Sequence, residues 1–382
     1  MVHELKHAVL ARQTADDLAR QRFVLALKRE LTGRIRPGNQ LLFEARVRPA
    51  MQRRLRSRSG ADREEIKRGL LAEPAYQAWA ALTRCSQEMM WATVTEPLMR
   101  DRERIEAEAR RLLGGAQRLG GLDLPAGFEP PAAMREHHVH LQPQGYAHTR
   151  DADDVMAGAL YEAGGNLYSM GQGMGGDDSK GFAAIRWIKW HRPGFAPRRI
   201  LDMGCSAGAG SVPYAQEFPD AEVHAIDIGA AMLRYASARA ESLGARVFFH
   251  QMDCGATGFP DGYFDLVVSH NLFHEVSNET RNATFRETFR LLAPGGLALH
   301  QDVAIQNAAR TPFEQAERAY DVYYNDEPFW ENYADADIVR ELVAAGFAPG
   351  AAREIQLGKI NGPGHWFAAV AEKPAAAPAA RS

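Results

Sequence analysis

Apolar side chains recur at helical spacing through the first third of the chain. Residues 4–31 carry them every three or four positions without an internal break, which predicts a long amphipathic helix. Further helices are predicted at about 40–57, 62–72, 75–94 and 97–113, with Pro97 in the first turn of the last one. Glycine and proline then dominate residues 114–133, which predicts a linker or long surface loop. The pattern predicts an all-helical N-terminal domain, residues 1–133.

The pattern changes to that of strands after this linker. In the segment REHHVHLQPQGYAH, residues 135–148, His138, His140 and Gln142 alternate with Val139 and Leu141, which predicts a strand. From about residue 197, short apolar runs alternate with helical or turn segments: RRILDMG, AEVHAID, RVFFHQMD, FDLVVSH and GLALHQDV. Such alternation predicts a mostly parallel sheet with helices on both faces. GHWFAAVAEK adds a last strand, and residues 375–382 are predicted to be a disordered tail.

Composition places the chain among soluble globular proteins. Its 382 residues are 46% hydrophobic and 24% charged. No apolar run reaches the roughly 18 residues of a membrane span, and the charged N-terminus does not resemble a signal peptide. The three cysteines lack the spacing of a disulfide framework or a cysteine zinc site. We therefore expect a cytoplasmic protein with no membrane partner.

Charge is distributed unevenly along the chain. Basic residues exceed acidic ones within residues 1–113, whereas the remainder is acidic and the formal net charge is -3. Mixed-charge helical faces are mostly solvated surface, which disfavours a nucleic-acid partner without excluding one. The N-terminal helices are also candidates for a homodimer interface or for a cap over a substrate.

The segment ILDMGCSAGAG carries the strongest chemical signal. A strand ends in Asp202 and is followed by Gly204 and Gly208, which let the backbone pass close beneath a ligand at the end of the strand. The glycine order is GxxxGxG rather than the dinucleotide fingerprint GxGxxG. The carboxylate of Asp202 would also repel a pyrophosphate. A cationic amine is the better match for this turn.

Two further strands end in carboxylates. Asp227 closes the second strand and is placed to accept hydrogen bonds from ribose hydroxyls. Asp253 closes the third strand and can accept a hydrogen bond from an adenine amine. Carboxylates at the ends of three successive strands match a ligand that contains an amine, a ribose and an adenine, but no phosphate.

With these motifs, residues 180–373 resemble a class I S-adenosylmethionine-dependent methyltransferase of the broad group that acts on small molecules. LDMGCSAG resembles the first motif of that family, MDCGATGFPDGYFDLVVSHNLF its adenine-binding and fourth-strand motifs, and LLAPGGLALHQDV its fifth-strand region. The resemblance implies an α/β fold, a Rossmann-like, seven-stranded, doubly wound sheet whose last strand is antiparallel. It also implies S-adenosyl-L-methionine as the methyl donor.

The resemblance assigns roles to individual residues. Ser206 stands where many members have glycine, and its small side chain is expected to be tolerated. Asp202 is expected to hold the amine, Asp227 the ribose and Asp253 the adenine. The expected cofactor-binding residues in this domain are Asp202, Gly204, Ser206, Gly208, Asp227, Ile228, Asp253, Cys254, Ser269 and His270.

Methyl transfer from a sulfonium is an in-line displacement, and orientation alone can contribute roughly 7–11 kcal/mol to its acceleration. A general base is needed only if the acceptor carries a proton. His270 and His274, which follow the fourth strand, are the candidates for this base, and Glu275 is placed to orient one of them. Ordinary packing of either histidine in a loop is the alternative interpretation.

Two aromatic or histidine-rich segments bear on the acceptor. AYDVYYNDEPFWENY, residues 319–333, is predicted to supply substrate contacts from Tyr320, Tyr324 and Trp330, in addition to His274. The histidines at positions 137, 138, 140 and 148 suggest a metal site, but no cysteine or carboxylate stands at convincing ligand spacing. No metal is therefore predicted, and contact of these histidines with substrate or cofactor stays open.

The glycine-rich segment NLYSMGQGMGGDDSKGF, residues 166–182, precedes the first strand of the α/β pattern. It is predicted to be a lid in which Tyr168 and Met170 contact the cofactor and Gln172 the substrate, while the glycines permit closure. A mobile linker is the alternative. The predicted division is residues 1–133, a connecting lid at 134–180, a cofactor-binding domain at 181–374 and the tail.

The sequence favours an enzyme that methylates a small-molecule acceptor. A methyltransferase that docks RNA or protein on its basic helices is the main alternative. The Asn-Pro-Pro-Tyr type of motif used on amino groups of nucleobases and glutamine is replaced here by SHNL, which disfavours it. A cofactor-binding regulatory protein without catalysis is a third interpretation.

Overall fold

The computed structural model describes residues 7–54, 63–168, 179–360 and 364–375. The N-terminal layer consists of α1 (Ala15–Glu30), α2 (Gly38–Leu42), α3 (Arg48–Arg54), α4 (Arg63–Leu71) and α5 (Pro74–Leu113). π-helical turns at Leu31–Ile35 and Phe43–Val47 keep the chain helical from α1 to α3. This layer is all-helical, as the sequence pattern predicts.

Two predicted helix boundaries are wrong. The first helix begins at Ala15 rather than at residue 4, because Thr14 and Asp17 form a reciprocal capping box there. The predicted break at Pro97 does not occur, and α5 continues through it for 40 residues. Pro97 has no N–H for the carbonyl of Thr93, but the Gln21 side chain donates to that carbonyl at 3.3 Å. A neighbouring helix therefore replaces the hydrogen bond that proline removes.

The predicted linker contains a strand, β1 (Gly121–Asp123), which pairs in parallel with β4 (Val247–Gln251). A Cβ atom at Gly120 would lie 1.9 Å from the carbonyl oxygen of Val247, so glycine permits the close approach of the two backbones. The strand predicted within residues 135–148 is absent from this described region. It holds α6 (Ala132–Glu136) and the turn Val139–Leu141, in which His140 has a φ of 56°.

The remaining elements build the α/β domain. They are α7 (Met156–Tyr168), α8 (Ser179–His191), β2 (Arg199–Met203), α9 (Ser211–Glu217), β3 (Glu222–Asp227), α10 (Ala230–Ser242), β5 (Phe264–His270), the turn Phe273–Glu275, α11 (Asn278–Leu291), β6 (Leu292–Asp302), the turn Asn307–Ala309, α12 (Pro312–Arg318), α13 (Tyr320–Tyr324), α14 (Trp330–Ala334), α15 (Ile338–Ala344), β7 (Ala352–Gly358) and β8 (His365–Glu372).

Eight strands form one sheet in the order β1-β4-β3-β2-β5-β6-β8-β7. Strands β1 to β6 run parallel, and β8 is antiparallel to both β6 and β7. Without β1, the order is that of the predicted seven-stranded sheet with an antiparallel last strand. The chain leaves β2 toward β3 on one side and returns to β5 on the other. Doubly wound sheets bind ligands at the crevice that such a reversal opens.

Helices cover both faces of the sheet, and their apolar sides form two buried cores. One core joins α8, α9 and α10 to the sheet, and the other joins α11 and α15 to the opposite face. A third cluster connects α5, α7 and α10. Gly158 of α7 permits its close contact with Tyr235 of α10. Among the described helices, none combines the length and apolar character required to cross a membrane.

Candidate functional site

A pocket with about 860 Å³ of empty space opens at the carboxyl ends of β2 to β5. Three acidic side chains reach it: Asp227, Asp253 and Glu275. The rest of its wall is largely apolar and includes Met134, Tyr146, Tyr161, Ile226, Met232, Met252, Leu272 and Phe329. An apolar cleft with a few convergent polar groups is the usual form of a small-molecule site.

The turn after β2 supplies the floor of the pocket. The N–H groups of Gly204 and Cys205 both donate to the carbonyl of Ile226 at 2.9 Å, which ties the turn to β3. Gly204, Ser206 and Gly208 have φ angles of 69°, 45° and 77°, in the left-handed region that glycine adopts most readily. Ser206 adopts it as well, so serine in place of glycine does not alter the path of the turn.

Asp227 lies at the carboxyl end of β3 and lines the pocket. One carboxylate oxygen accepts from the N–H of Ser206 at 2.9 Å and the other from the N–H of Gly229 at 3.0 Å. Burial raises the pKa of Asp227, although these backbone hydrogen bonds oppose the shift. The backbone therefore holds the carboxylate in one orientation, with Ile228 beside it in the wall.

Asp253 and Cys254 follow β4 on the same side of the pocket. Asp253 is fixed by the N–H of Gly255, which donates to its carboxylate at 2.7 Å. The thiol of Cys254 accepts from the Thr284 hydroxyl at 3.1 Å, and burial raises its pKa to about 12. The sulfur is therefore a packed, protonated group, and the backbone is the part of Cys254 available to a ligand.

Asp202 is buried at the end of β2 and accepts from the Ser211 hydroxyl at 2.6 Å. Its other oxygen, Oδ1, is buried and has no hydrogen-bond partner among the described residues. Burial raises the pKa of Asp202 to about 7, opposed by the Ser211 hydroxyl and by the charge of Lys180. A buried carboxylate oxygen without a donor is able to accept from an amine, but Asp202 and Gly208 are not among the residues that line the pocket.

Ser269 and His270 are not among the residues that line this pocket. Ser269 bonds to Nδ1 of His300 at 2.9 Å. The His270 ring lies within hydrogen-bond distance of the Tyr214 hydroxyl at 3.2 Å and of the Gln301 amide oxygen at 3.3 Å. Burial lowers the pKa of His270 to about 3, so the ring is neutral. Its position does not favour a role as general base in this pocket.

His274 lies in a different electrostatic environment, four residues further on. Its Nδ1 is 2.5 Å from a carboxylate oxygen of Asp302, and its Nε2 is 3.5 Å from Oε1 of Glu275. Burial alone would lower the pKa of His274, but the carboxylates of Asp302, Glu275 and Glu327 outweigh it and raise the pKa. His274 does not line the pocket itself, but it contacts Glu275, which does.

His140 joins the same cluster from the Val139–Leu141 turn. Its Nε2 is 3.2 Å from Oε1 of Glu275, and its Nδ1 is 2.8 Å from Oε1 of Glu327. Burial opposes the charged form, but Glu327 and Glu275 raise the pKa of His140 well above its ordinary value. The Trp91 indole and the Gln87 amide both donate to the His140 carbonyl, which anchors the turn against α5.

The predicted substrate aromatics are dispersed. Tyr320 and Tyr324 stack on each other at 5.0 Å, and Tyr320 also packs on Trp79 of α5 at 5.1 Å. These two tyrosines do not line the pocket and instead join α13 to the helical layer. Trp330 packs edge-on against His274, with ring centroids 5.7 Å apart. The aromatic side chain that this segment contributes to the pocket wall is Phe329.

Sequence reasoning missed several residues of the site. Tyr146 and Tyr161 in the pocket wall, and Asp302 and Glu327 behind the histidines, were not singled out. Asp302 ends the strand GLALHQD, so the rule that strand-end carboxylates are functional candidates applied to it as well. No local pattern distinguishes Glu327. Of the predicted lid contacts, Met170 and Gln172 lie outside the described residues, and Tyr168 is the last residue of α7.

The residues present fit S-adenosylmethionine. The unpartnered oxygen of Asp202 suits the amine, and Asp227 is oriented at the rim for the ribose. The pocket contains acidic groups and no arginine or lysine in its described wall, which suits a cationic ligand without phosphate.

Comparison with known proteins identifies the domain. Residues 200–296 match the family model of a methyltransferase domain. Phosphoethanolamine N-methyltransferase 1 of Arabidopsis thaliana is 31% identical over 131 residues, which cover 33% of this chain and 26% of that protein. Demethylmenaquinone methyltransferase of Thermus thermophilus is 37% identical over 101 residues, 26% of this chain and 45% of that protein. The chain therefore spans less than half the length of these relatives.

Solved structures are also similar to part of this chain. Phosphoethanolamine N-methyltransferase 2 of Haemonchus contortus, solved with S-adenosyl-L-methionine, is 18% identical with a TM-score of 0.39, over 50% of this chain and 52% of that one. Residues 200–296 match the methyltransferase domain family, which is S-adenosylmethionine-dependent, and they lie in the doubly wound, Rossmann-like sheet described above.

Proposed function

We propose that this chain transfers a methyl group from S-adenosylmethionine to a small-molecule acceptor in the cytoplasm. The observation that carries the proposal is the pocket itself. Asp227, fixed by two backbone N–H groups, and Glu275, flanked by two histidines, line the same cavity within or beside the matched domain. One cavity can therefore hold a nucleoside and an acceptor side by side.

In this proposal, residues at the carboxyl ends of β2, β3 and β4 would hold the cofactor. Asp227 accepts hydrogen bonds from the ribose hydroxyls, and Asp253 with the backbone of Cys254 faces the adenine. Asp202 meets the amine through Oδ1. Charge-assisted hydrogen bonds of this kind contribute roughly 1.5–3 kcal/mol each.

When bound, the cofactor supplies a methyl group on a sulfonium: the C–S bond breaks as the acceptor bonds to carbon, and its electron pair returns to sulfur, leaving a neutral thioether. The chain has to hold the acceptor in line with that bond and keep water out. Glu275 is the polar group placed to receive the acceptor, and His274 stands behind it. An acceptor proton can pass to the Glu275 carboxylate.

The acceptor end favours neutral or cationic acceptors. Asp227, Asp253 and Glu275 give the described wall of the pocket three acidic groups and no lysine or arginine. An acceptor that carries phosphate, such as the phosphoethanolamine in the name of one relative, would meet like charge there. Hydroxyl, thiol and amine acceptors are the compatible classes.

The basic N-terminal helices lend less support to a macromolecular acceptor than their composition suggests. Arg20 pairs with Asp16 and Glu96, and Arg63 pairs with Asp335 across the two layers. Arginine side chains that already form ion pairs with carboxylates attract a phosphate backbone only weakly. In this proposal residues 1–133 cap the pocket. Self-association through these helices stays a prediction, which light scattering during size-exclusion chromatography checks.

The test couples cofactor binding to methyl transfer. Asp227→Asn keeps the shape of the side chain but replaces one acceptor with a donor, and we expect calorimetry to show at least about a 30-fold loss of affinity for S-adenosylmethionine. Asp220→Asn, an exposed acid, is the matched control. Wild type is then screened against hydroxyl, thiol and amine acceptors with labelled methyl donor. Unchanged cofactor affinity in Asp227→Asn would contradict the assigned site.

A further inference from the structure

Two histidines and one glutamate converge beside the pocket from separate parts of the chain. Three possible ligand atoms, one from each of His140, His274 and Glu275, all lie within 4.8 Å of one another. His274 and Glu275 come from one turn after β5, and His140 comes from the turn after α6. Two imidazole nitrogens with one glutamate oxygen form the ligand set of a class of catalytic zinc sites.

The other ring nitrogen of each histidine is held by a buried carboxylate. Asp302 lies 2.5 Å from Nδ1 of His274, and Glu327 lies 2.8 Å from Nδ1 of His140. Both carboxylate side chains are 1% exposed. A carboxylate at Nδ1 fixes the tautomer that leaves the Nε2 lone pair for a metal, and metal-binding histidines almost always have such a partner. Both rings are therefore oriented as metal ligands are.

The distances suit one small cation. Oε1 of Glu275 is 3.2 Å from Nε2 of His140 and 3.5 Å from Nε2 of His274. Around a tetrahedral zinc with bonds of about 2.0–2.2 Å, neighbouring ligand atoms lie roughly 3.3–3.6 Å apart. An ion can therefore enter without a large movement of the three side chains.

The charges of the cluster favour a cation as well. With neutral imidazoles, the carboxylates of Glu275, Asp302 and Glu327 leave an excess of negative charge in a largely buried volume. Oε2 of Glu327 is also buried without a hydrogen-bond partner in the described part of the chain. A divalent ion offsets most of this charge, whereas protons on both rings compete for the same Nε2 positions.

We propose that His140, His274 and Glu275 bind one divalent transition-metal ion, with Zn²⁺ as the matching ion. Three protein ligands leave a coordination position open, and Glu275 lines the pocket, so the open position is available to an acceptor oxygen, sulfur or nitrogen. The metal site stands on its own geometry, but its role in placing the acceptor rests on the proposed function. This proposal differs from the sequence analysis, which predicted no metal.

The experiment measures metal on the full chain. Protein stripped with a chelator is reloaded with Zn²⁺, freed of unbound metal and analysed by mass spectrometry, and Co²⁺ loading is followed by visible absorption. We expect about one Zn²⁺ per chain and cobalt bands of four- or five-coordination. Glu275→Gln, which keeps the side-chain size, and His274→Ala should abolish both signals. Asp302→Asn, which alters the carboxylate behind His274 and leaves the three ligands in place, should lower affinity about 10–100-fold.

His138→Ala is the matched control, because His138 is exposed and lies in the same segment as His140. It should retain the full metal content, and circular dichroism shows whether each variant is folded. Loss of zinc in His138→Ala but not in His274→Ala would overturn the proposal, as would wild type that binds no zinc. If zinc binds but no acceptor is methylated, the proposed function fails and the metal site stands. If methyl transfer persists in metal-free protein, the proposed function stands and the role of the metal in placing the acceptor is refuted.

Discussion

The two ends of the pocket are built in different ways. At the proposed cofactor end, Asp227 is held by N–H groups of Ser206 and Gly229, the second of which lies two residues away. At the proposed acceptor end, His140 and His274 are held by side chains of Glu327 and Asp302, which lie far away in the chain. A site fixed by strand ends and their turns follows from local sequence. A site fixed by side chains from separate segments depends on how these segments pack.

Histidine sharpens the comparison. His270 and His274 are both buried and stand four residues apart, yet the pKa of the first is lowered to about 3 and that of the second is raised. Burial penalises the charged ring in both. At His270 the charge of Lys180 adds to that penalty, and the Gln301 hydrogen bond opposes it only in part. At His274 the carboxylates of Asp302, Glu275 and Glu327 outweigh it. The charges around each ring, rather than burial, therefore determine the direction of its pKa shift.

The largest effect is expected from removal of the acceptor-end carboxylate. Glu275→Ala should lower kcat/KM by at least about 100-fold, because it removes the polar group that receives the acceptor in the pocket. Its affinity for S-adenosylmethionine should stay within about threefold of wild type, since the contacts of Asp227 are unchanged. Steady-state kinetics and calorimetry on the same preparations separate the two. If Glu275→Ala lost cofactor affinity and kcat/KM to the same extent, the two ends of the pocket would not act independently.

The histidines should impose opposite pH slopes on stability. Between pH 6.5 and about 3, His270 binds a proton in the unfolded chain but not in the folded one. The free energy of unfolding therefore decreases by about 1.4 kcal/mol for each unit that the pH is lowered well below 6.5. For His274, whose folded pKa is raised, the contribution is fully present below pH 6.5 and is lost as pH rises through the folded pKa. His270→Gln and His274→Gln should each remove one slope.

Denaturant unfolding at pH 5 to 8 in the presence of a chelator measures both slopes, and the chelator prevents metal from replacing the proton on His274. If both variants changed the pH dependence of the free energy of unfolding in the same direction, the contrast between the surroundings of the two rings would be refuted.

The smallest effect is expected at the turn itself. Ser206→Gly should leave cofactor affinity within about twofold and alter the free energy of unfolding by no more than about 1 kcal/mol, because the hydrogen bond to Asp227 uses the backbone N–H. Gly208→Ala is the comparison variant. Its φ of 77° and the 3.2 Å approach of a new Cβ to Ala236 should make it clearly destabilising. Thermal melts measure the stability of both variants, and calorimetry measures their affinity for the cofactor. A larger loss of affinity in Ser206→Gly would show that the Ser206 side chain itself contributes to binding.

Much of the fold could be predicted because its signals are local. Alternation of strand and helix patterns indicates a parallel sheet whatever the remainder of the chain does. β1 could not be predicted in this way, because its three residues pair only where Gly120 approaches Val247. Continuity of α5 through Pro97 likewise depends on Gln21 of another helix.

The candidate site divides along the same line. Asp202, Asp227 and Asp253 were predicted from strand ends, because parallel strands bring their carboxyl ends to one edge. The aromatic segment after β6 was predicted to face the substrate, but composition does not reveal which face of a short helix is covered. Tyr320 and Tyr324 therefore turned out to contact the helical layer, and Phe329 the pocket.

By itself, the sequence determined the class of sheet, the glycine-containing turn after β2 and the three strand-end acids, since each depends on neighbouring residues and on strand direction. Only the tertiary structure decided the acceptor end. It placed His140, expected on a strand, in a left-handed turn against α5, and brought it within 3.2 Å of Glu275. The physical reason is that the pKa of a buried histidine and its capacity to bind a metal depend on carboxylates that long-range packing brings to its ring.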